Sequence, residues 1–215
     1  MSAPALVTPP DARCPAAPSR IGPNAIIQMR EVMIEELGRR EAGRLLAQAG
    51  LSAYVFEPPT EMVDEAEVAA LHRVLRTAFG EARAGAMAFE AGLRTGRYLL
   101  ANRIPAPART ILKLLPAPIA SRLLLAAIAK HSWTFAGSGR FEVLSTNPAL
   151  VRITDCALVR GLTLRQPGCA FYTGTFEALF RALVHRTARA RQTACEGRGD
   201  RACLFEISWS ARGRA

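Results

Sequence analysis

The fold is decided by residues 133–156, which read WTFAGSGRFEVLSTNPALVRITDC. Three short runs in this segment are rich in β-branched and aromatic residues, which predicts β-strands. The runs are Trp133–Phe135, Arg140–Ser145 and Leu150–Cys156. Gly137–Gly139 and Asn147–Pro148 supply the turns between them. The segment therefore predicts antiparallel strands that follow one another along the chain.

Helical patterns precede this segment, and another follows it. We predict helices starting at Asn24, Asp64 and Glu81, short helical pieces between Pro105 and Lys130, and an amphipathic helix from Cys169 to about Ala190. A hairpin with strands Arg191–Cys195 and Ala202–Trp209 closes the pattern. Helices first and an antiparallel sheet second are typical of an α+β protein. We therefore predict N-terminal helices packed on a C-terminal antiparallel sheet.

The predicted domain organisation is simple. Residues 1–19, rich in Pro and Ala, predict a disordered tail, and residues 210–215 predict a second short tail. Between them, residues 20–209 predict a single domain. Its helical part covers about residues 20–130 and its sheet-containing part about residues 131–209.

Charge and composition exclude several classes of protein. The net charge is +10, and Lys113 and Lys130 are the only lysines among 28 basic residues. The basic residues are interleaved with apolar ones rather than with stacking residues, so we expect no nucleic-acid partner. The odd number of cysteines, 5, argues against a disulfide scaffold. With no signal-peptide pattern and no long apolar span, we expect a cytoplasmic protein, with peripheral membrane contact as an option.

Three cysteines form the most informative pattern. The pattern is Cys169-x-x-Tyr172-x-Gly174, followed after the predicted helix by Gln192-x-x-Cys195 and Cys203-x-Phe205. The last two cysteines lie on the two arms of the predicted hairpin, and the first begins the helix that packs on the same sheet. The thiols predict either a metal site or a group of buried reduced cysteines. Cys156 ends a predicted strand and is expected in the core, whereas Cys14 lies in the tail and is expected to have no role.

This pattern resembles the 4-vinyl reductase domain, a ligand-binding α+β module of bacteriochlorophyll-biosynthesis proteins and of phenol-responsive transcription activators. The similarity covers about residues 130–209 and extends back to Arg20 through the opening Arg20-Ile-Gly-Pro-Asn-Ala-Ile. That opening and the chain length are similar to the stand-alone bacteriochlorophyll 4-vinyl reductase type rather than to the sensors. The resemblance implies a fold similar to that of the subunits of the TRAPP vesicle-tethering complex.

The resemblance also implies a structural zinc site. In the phenol sensors three cysteines and a glutamate hold the zinc, and the three cysteines match here. The predicted metal ligands are Cys169, Cys195, Cys203 and Gln192. Gln192 stands at the glutamate position, and a neutral amide oxygen is a poor substitute for a carboxylate on Zn²⁺. Glu196, Asp200 or a water are therefore alternative fourth ligands, and a cluster without metal stays open.

Candidate ligand-binding residues lie around the predicted junction between helix and sheet. In a strand, His131, Trp133 and Phe135 share one face, which forms either a flat apolar pocket or an ordinary sheet face against the helices. Arginines beside Ala- and Leu-rich helices form a solvated face, or bind the carboxylates of a ligand or anionic lipid headgroups. The candidates are His131, Trp133, Phe135, Arg94, Arg97, Tyr98 and Tyr172.

The resemblance implies a role in bacteriochlorophyll biosynthesis. We predict that the protein binds a Mg-tetrapyrrole intermediate, a Mg-porphyrin or divinyl protochlorophyllide or chlorophyllide, as a carrier or accessory factor among the pathway enzymes. The sequence has no dinucleotide, flavin or phosphate-loop motif, which favours a carrier. Two alternatives are an 8-vinyl (in the older numbering, 4-vinyl) reductase that needs an external donor or partner, and a small-molecule sensing or assembly module.

An apolar stripe on the first predicted helix predicts a homodimer. The stripe consists of Ile26, Ile27, Ile34 and Leu37. An apolar face larger than one domain covers is typical of an interface between subunits, and the resemblance is to folds that pair through helices. Peripheral contact with the inner, photosynthetic membrane is the corresponding expectation for localisation.

Overall fold

Helices cover one face of a four-stranded antiparallel sheet in the structure, a computed structural model that describes residues 19–210. The helices are α1 (Asn24–Leu37), α2 (Arg39–Gln48), α3 (Glu65–Asn102), α4 (Ala106–Leu114), α5 (Ala117–Lys130), α6 (Trp133–Ala136) and α7 (Ala170–Leu183). The strands are β1 (Arg20–Ile21), β2 (Val63–Asp64), β3 (Arg140–Thr146), β4 (Ala149–Thr154), β5 (Arg189–Ala194) and β6 (Cys203–Ser208). The predicted α+β class is confirmed. The predicted tails, apart from Ser19 and Ser210, lie outside the described residues, as does Cys14.

The sheet has the strand order β3-β4-β6-β5, and every neighbouring pair is antiparallel. Side chains alternate between its two faces, as the pleat of a strand requires. On β4 the residues Ala149, Val151 and Ile153 are buried, and on β6 Phe205 pairs with Val151. The strands predicted within residues 140–145 and 150–156 and the closing hairpin are therefore confirmed.

The strand predicted at Trp133–Phe135 is wrong. These residues form the single helical turn α6, which ends at Gly137 with a φ of 62°. Trp133 is 62 % exposed, whereas Phe135 is half-buried and contacts Phe141 edge-on. Residues two apart in a helix point in different directions, so His131, Trp133 and Phe135 do not share a face.

Helix α7 lies between the sheet and α3. Tyr172 and Phe176 on α7 each contact the ring of Phe205. On the opposite side α7 crosses α3 so closely that a Cβ atom on Gly92 would lie 2.1 Å from the Phe171 carbonyl oxygen. The close packing predicted from the glycines of α3 is confirmed at this crossing, because only glycine fits there. The predicted extension of α7 towards Ala190 is wrong, since β5 already begins at Arg189.

Helix α3 combines the two helices predicted over residues 64–80 and 81–102. Asp64 caps its start by accepting a hydrogen bond from the Ala66 amide, as an N-cap aspartate does. Gly80, with φ 75° and ψ 170°, breaks the helical geometry midway. Near the start of α3, the buried Glu65 carboxylate accepts bonds from Ser138 and from the Arg160 guanidinium at 2.8 Å. This contact fixes the helix to the loop that enters β3.

The apolar stripe of α1 is largely covered within the chain. Ile26 is fully buried, and Ile34 and Leu37 are half-buried against the core. The stripe therefore leaves little apolar surface for a second copy, and the homodimer stays a prediction. None of the helices within residues 19–210 has the length and apolar character that a membrane crossing needs.

Candidate metal centre and adjoining groove

Four fully buried cysteines meet where the strand ends approach the start of α7. Cys156 follows β4, Cys169 precedes α7, Cys195 follows β5 and Cys203 begins β6. The Cys169 sulfur lies 3.5 Å from the sulfurs of both Cys156 and Cys203, and these three sulfurs lie within 4.8 Å of one another. The Cys195 thiol also hydrogen-bonds to Cys169. All four cysteines are free thiols.

Cys156 is the member of this cluster that the sequence did not predict. We expected it to be an ordinary core residue, and its burial is confirmed, but its sulfur is directed into the group of thiols. The three cysteines that were predicted as ligands are brought together as expected. The cluster therefore has four sulfur atoms, as many as a tetrahedral metal needs.

Gln192 has a different environment from the one expected of a metal ligand. Its Oε1 accepts a hydrogen bond from the Cys169 amide at 2.9 Å, and its Nε2 donates to the Ala194 carbonyl at 3.0 Å. Both ends of the side-chain amide are thus bound to the backbone. Gln192 holds the start of α7 against β5 and so positions a cysteine.

The two acidic residues considered as alternative ligands also bind backbone amides. Glu196 accepts bonds from the amides of Asp155 and Cys156, each at 2.8 Å, and Asp200 accepts one from the Cys195 amide at 2.8 Å. Carboxylates that accept amide hydrogen bonds at these distances stabilise the local turns. Both acids therefore support the cluster from outside it.

Backbone amides and neighbouring thiols determine the protonation of the cluster. The Gly168 amide donates to the Cys195 sulfur at 3.3 Å, and the Glu196 amide donates to the Cys203 sulfur at 3.5 Å. Hydrogen bonds from neighbouring thiols hold the pKa of Cys156 well below its usual range, whereas burial raises the pKa of Cys169. Negative charge on the cluster is therefore placed most easily on Cys156.

A groove of about 500 Å³ adjoins the cluster. It lies between the break in α3 and the loop formed by residues 157–168. Its lining is Arg73, Arg76, Thr77, Gly80, Glu81, Ala82, Leu162, Leu164, Arg165 and Gln166. Three arginines and two leucines thus face one space, which combines apolar surface with donors for a carboxylate.

Two side chains of α3 hold the loop that forms one wall of the groove. Arg76 donates to the Leu158 carbonyl at 3.0 Å and to the Gly168 carbonyl at 2.6 Å, so it joins the two ends of the loop. Glu81 accepts bonds from the amides of Arg165 and Gln166. The same loop begins after Cys156 and ends before Cys169, so the cluster and α3 fix the groove wall together.

His72 lies one helical turn before Arg76 and is buried without a partner for its Nε2 in the described part of the chain. Its ring meets Phe171 edge-on at 6.2 Å. Burial, together with the positive charge of Arg76, lowers the pKa of His72 to about 3. The imidazole is therefore neutral in the folded protein at physiological pH.

The predicted ligand-binding residues are dispersed. Arg94 makes two hydrogen bonds of 2.6 Å to the Glu35 carboxylate and a third to Glu90, to which Arg97 also pairs. His131 is exposed at the end of α5, and Trp133 points to solvent. Tyr98 is half-buried on α3, and the buried Tyr172 donates its hydroxyl to the Phe135 carbonyl at 2.8 Å. None of these side chains lines the groove.

The fold and the thiol cluster define a 4-vinyl reductase domain, and the model of that domain family matches residues 150–208. The match contains β4, α7, β5 and β6, and with them all four cysteines of the cluster.

The chain belongs to the family of the bacteriochlorophyll synthase 23 kDa chain. It is 44 % identical to that protein of Cereibacter sphaeroides over 90 % of this chain and 92 % of the relative. It is 42 % identical to the protein of the same name in Rhodobacter capsulatus, over 87 % of this chain and 86 % of the relative. Among solved structures, an H-NOX protein from S. oneidensis in the Fe(II)NO ligation state aligns with a TM-score of 0.50 and 10 % identity. That alignment covers 87 % of this chain and 98 % of the other, and it shows a similar fold.

Proposed function

We propose that the protein acts in bacteriochlorophyll biosynthesis by binding a Mg-tetrapyrrole intermediate as a carrier or accessory factor. The observation that carries the proposal is the 44 % identity, over 90 % of the chain, to a bacteriochlorophyll synthase 23 kDa chain. Relatives that match along nearly their whole length share an architecture and not merely a module. The structure adds a groove whose chemistry suits such a ligand.

The groove between α3 and the 157–168 loop is the proposed binding site. A magnesium porphyrin or chlorophyllide is a planar apolar ring system with carboxylate substituents. Leu162 and Leu164 offer apolar contact, and the exposed Arg73 and Arg165 offer planar donors at the rim. A space of about 500 Å³ lies within the range of small-molecule sites. This site replaces the one first expected around His131.

A titration of the purified protein with Mg-protoporphyrin IX tests the proposal. We expect a saturable shift of the main visible absorption band, and at least about tenfold weaker binding in Arg165→Glu, because a charged hydrogen bond is replaced by repulsion. The control is Arg201→Glu, which makes the same charge change at an exposed turn. Equal affinity in both variants contradicts the groove as the site, and an absence of saturable binding contradicts tetrapyrrole binding altogether.

Turnover separates the carrier from the vinyl reductase. We expect no monovinyl product when the protein is incubated anaerobically with a divinyl substrate and NAD(P)H, because the sequence contains no dinucleotide fingerprint. Product formation by the protein alone would replace the carrier with the reductase. Product formation only after addition of a second protein fraction would indicate a reductase subunit.

The four-thiol cluster supports a second proposal, a structural zinc ion held by Cys156, Cys169, Cys195 and Cys203. Zn–S bonds of about 2.3 Å in a tetrahedron separate the sulfurs by about 3.8 Å. The observed separation of 3.5 Å between Cys169 and two of its neighbours is close to that value. A tetrahedral set of four sulfurs is typical of zinc. The ion would join the ends of three strands to the start of α7.

Elemental analysis of variants tests this ligand set. Because Cys156 would replace the carboxylate of the phenol sensors, we expect Cys156→Ser to lose zinc while Gln192→Ala retains it. Cys14→Ser is the matched control for removal of a thiol outside the cluster. Substitution with Co²⁺ gives a second measurement, since thiolate-to-cobalt absorption reports the number of sulfur ligands. Zinc loss from Gln192→Ala combined with retention in Cys156→Ser would restore the ligand set expected from the sequence.

A further inference from the structure

Helices α4 and α5 expose an unusual amount of apolar surface. Within residues 19–210, seven large apolar side chains are exposed, and four of them lie on these two helices. They are Ile111, Leu114, Ile119 and Leu123, of which Leu114 is 78 % exposed. Helix α5 buries Leu124 and Leu125 against the rest of the protein, yet its outer side is also apolar. A helix that is apolar on all sides needs an apolar environment on its outer side as well.

The charge of this region has one sign. Between Ala91 and Phe141 the sequence contains no Asp or Glu. Elsewhere on the described chain, arginines such as Arg94 pair with carboxylates, but no ion pair involves a residue between 98 and 139. The exposed basic side chains of this stretch are Arg103, Lys113, Arg122 and Lys130. They include both lysines of the protein, one in the last turn of α4 and one in the last turn of α5.

We propose that the outer surface of α4 and α5 docks on an anionic lipid bilayer. The four exposed apolar side chains would enter the boundary between headgroups and acyl chains, and the basic side chains would bind lipid phosphates. Lys113 and Lys130 have flexible stems that lie along apolar surface while the ammonium group reaches the headgroups. This proposal is independent of the tetrapyrrole and of the zinc.

The charge favours a bilayer over a second copy of the chain. A symmetric dimer through this surface would bring the same unpaired cations of two protomers together. No carboxylate of this stretch would compensate them. An anionic membrane supplies the opposite charge and an apolar interior in one partner. The helices need not cross the bilayer, because their apolar side chains are placed to lie on it.

Flotation with vesicles of phosphatidylcholine alone or with phosphatidylglycerol tests the proposal. We expect the full chain to float with the anionic vesicles, and less so when salt is raised from about 0.1 to about 0.5 M because screening weakens the attraction. Lys113→Glu with Lys130→Glu should lower the partition coefficient by at least about tenfold. The control, Arg39→Glu with Arg40→Glu, makes the same charge change at exposed positions on α2.

The apolar contribution is tested separately. We expect Leu114→Ser with Leu123→Ser to lose vesicle binding, while Phe56→Ser, an exposed apolar residue away from these helices, retains it. Equal losses in the α4–α5 variants and their controls would overturn the proposal, as would absence of the wild type from anionic vesicles. Light scattering identifies the competing occupant. A dimer that Leu114→Ser with Leu123→Ser converts to a monomer, without vesicle binding, would assign the surface to a second copy.

Discussion

The crossing of α3 and α7 gives a prediction whose size follows from the structure. A Cβ atom at Gly174 would lie 2.2 Å from the Phe89 carbonyl oxygen and 3.0 Å from the Leu93 amide nitrogen. Both are backbone atoms of a helix, so Gly174→Ala forces α3 and α7 apart by about 1 Å, which also opens the contacts of Gly92 and Gly96. Overpacking typically costs about 1–3 kcal/mol, and we expect about 3 kcal/mol here because no flexible side chain yields. At about 2–4 °C per kcal/mol for a domain of this size, the midpoint of thermal unfolding should fall by about 6–12 °C.

Gly85→Ala is the matched control for this substitution. Gly85 also lies on α3, but a Cβ atom there would meet nothing within 4 Å. Alanine is favoured over glycine within a helix by about 1 kcal/mol, so this variant should unfold at the same temperature or higher. Denaturant unfolding of both variants gives the free energies. A loss below about 0.5 kcal/mol in Gly174→Ala would refute the steric argument.

Two buried titratable groups give further predictions. Because His72 has a lowered pKa, only the unfolded chain gains its proton as the pH falls below about 6.5, so the wild type should lose about 2 kcal/mol of stability between pH 8 and pH 5 through this group; His72→Phe should remove that part of the pH dependence, and an unchanged profile would contradict it. Burial raises the pKa of Glu65, but hydrogen bonds from Arg160 and Ser138 outweigh it and lower the pKa overall, so Glu65→Gln should cost about 2–3 kcal/mol at pH 7. Since a lowered carboxyl pKa stabilises only above the unfolded value of about 4.3, denaturant titrations should show this cost shrinking as the pH falls below 4, and a constant cost would contradict the charge argument.

The elements with strong local patterns were predictable from the sequence. The strands within residues 140–145 and 150–156 alternate apolar and polar residues, and both are present. The three residues Trp133–Phe135 were not predictable, because a run this short has no periodicity that separates a strand from a helical turn. Here the surrounding backbone decides, since the Phe135 and Ala136 amides both bond to the Ser132 carbonyl. The extent of α7 was overestimated because its apolar pattern continues past Leu183 into β5.

The site was predictable only where its residues recur at motif spacing. Cys169, Cys195 and Cys203 were identified, but Cys156 was not, because its sulfur reaches the cluster through the pairing of β4 with β6 and not through local spacing. Arg76 has no motif at all. It matters because α3 crosses behind the loop, 82 residues away in sequence from the carbonyl it binds. Contacts of this kind depend on the tertiary fold, which single-residue patterns do not contain.

The arrangement connects the thiol cluster to the groove through one loop. Residues 157–168 run from Cys156 to Cys169, and Arg76 binds carbonyls near both of the loop's ends. A zinc ion held by these two cysteines would close a loop of about a dozen residues, which lowers the entropy that the groove wall loses on binding a ligand. Loss of zinc should therefore weaken ligand binding without removing any groove side chain. The same coupling requires that a bound ligand makes zinc harder to extract with a chelator, because linkage between two sites is reciprocal.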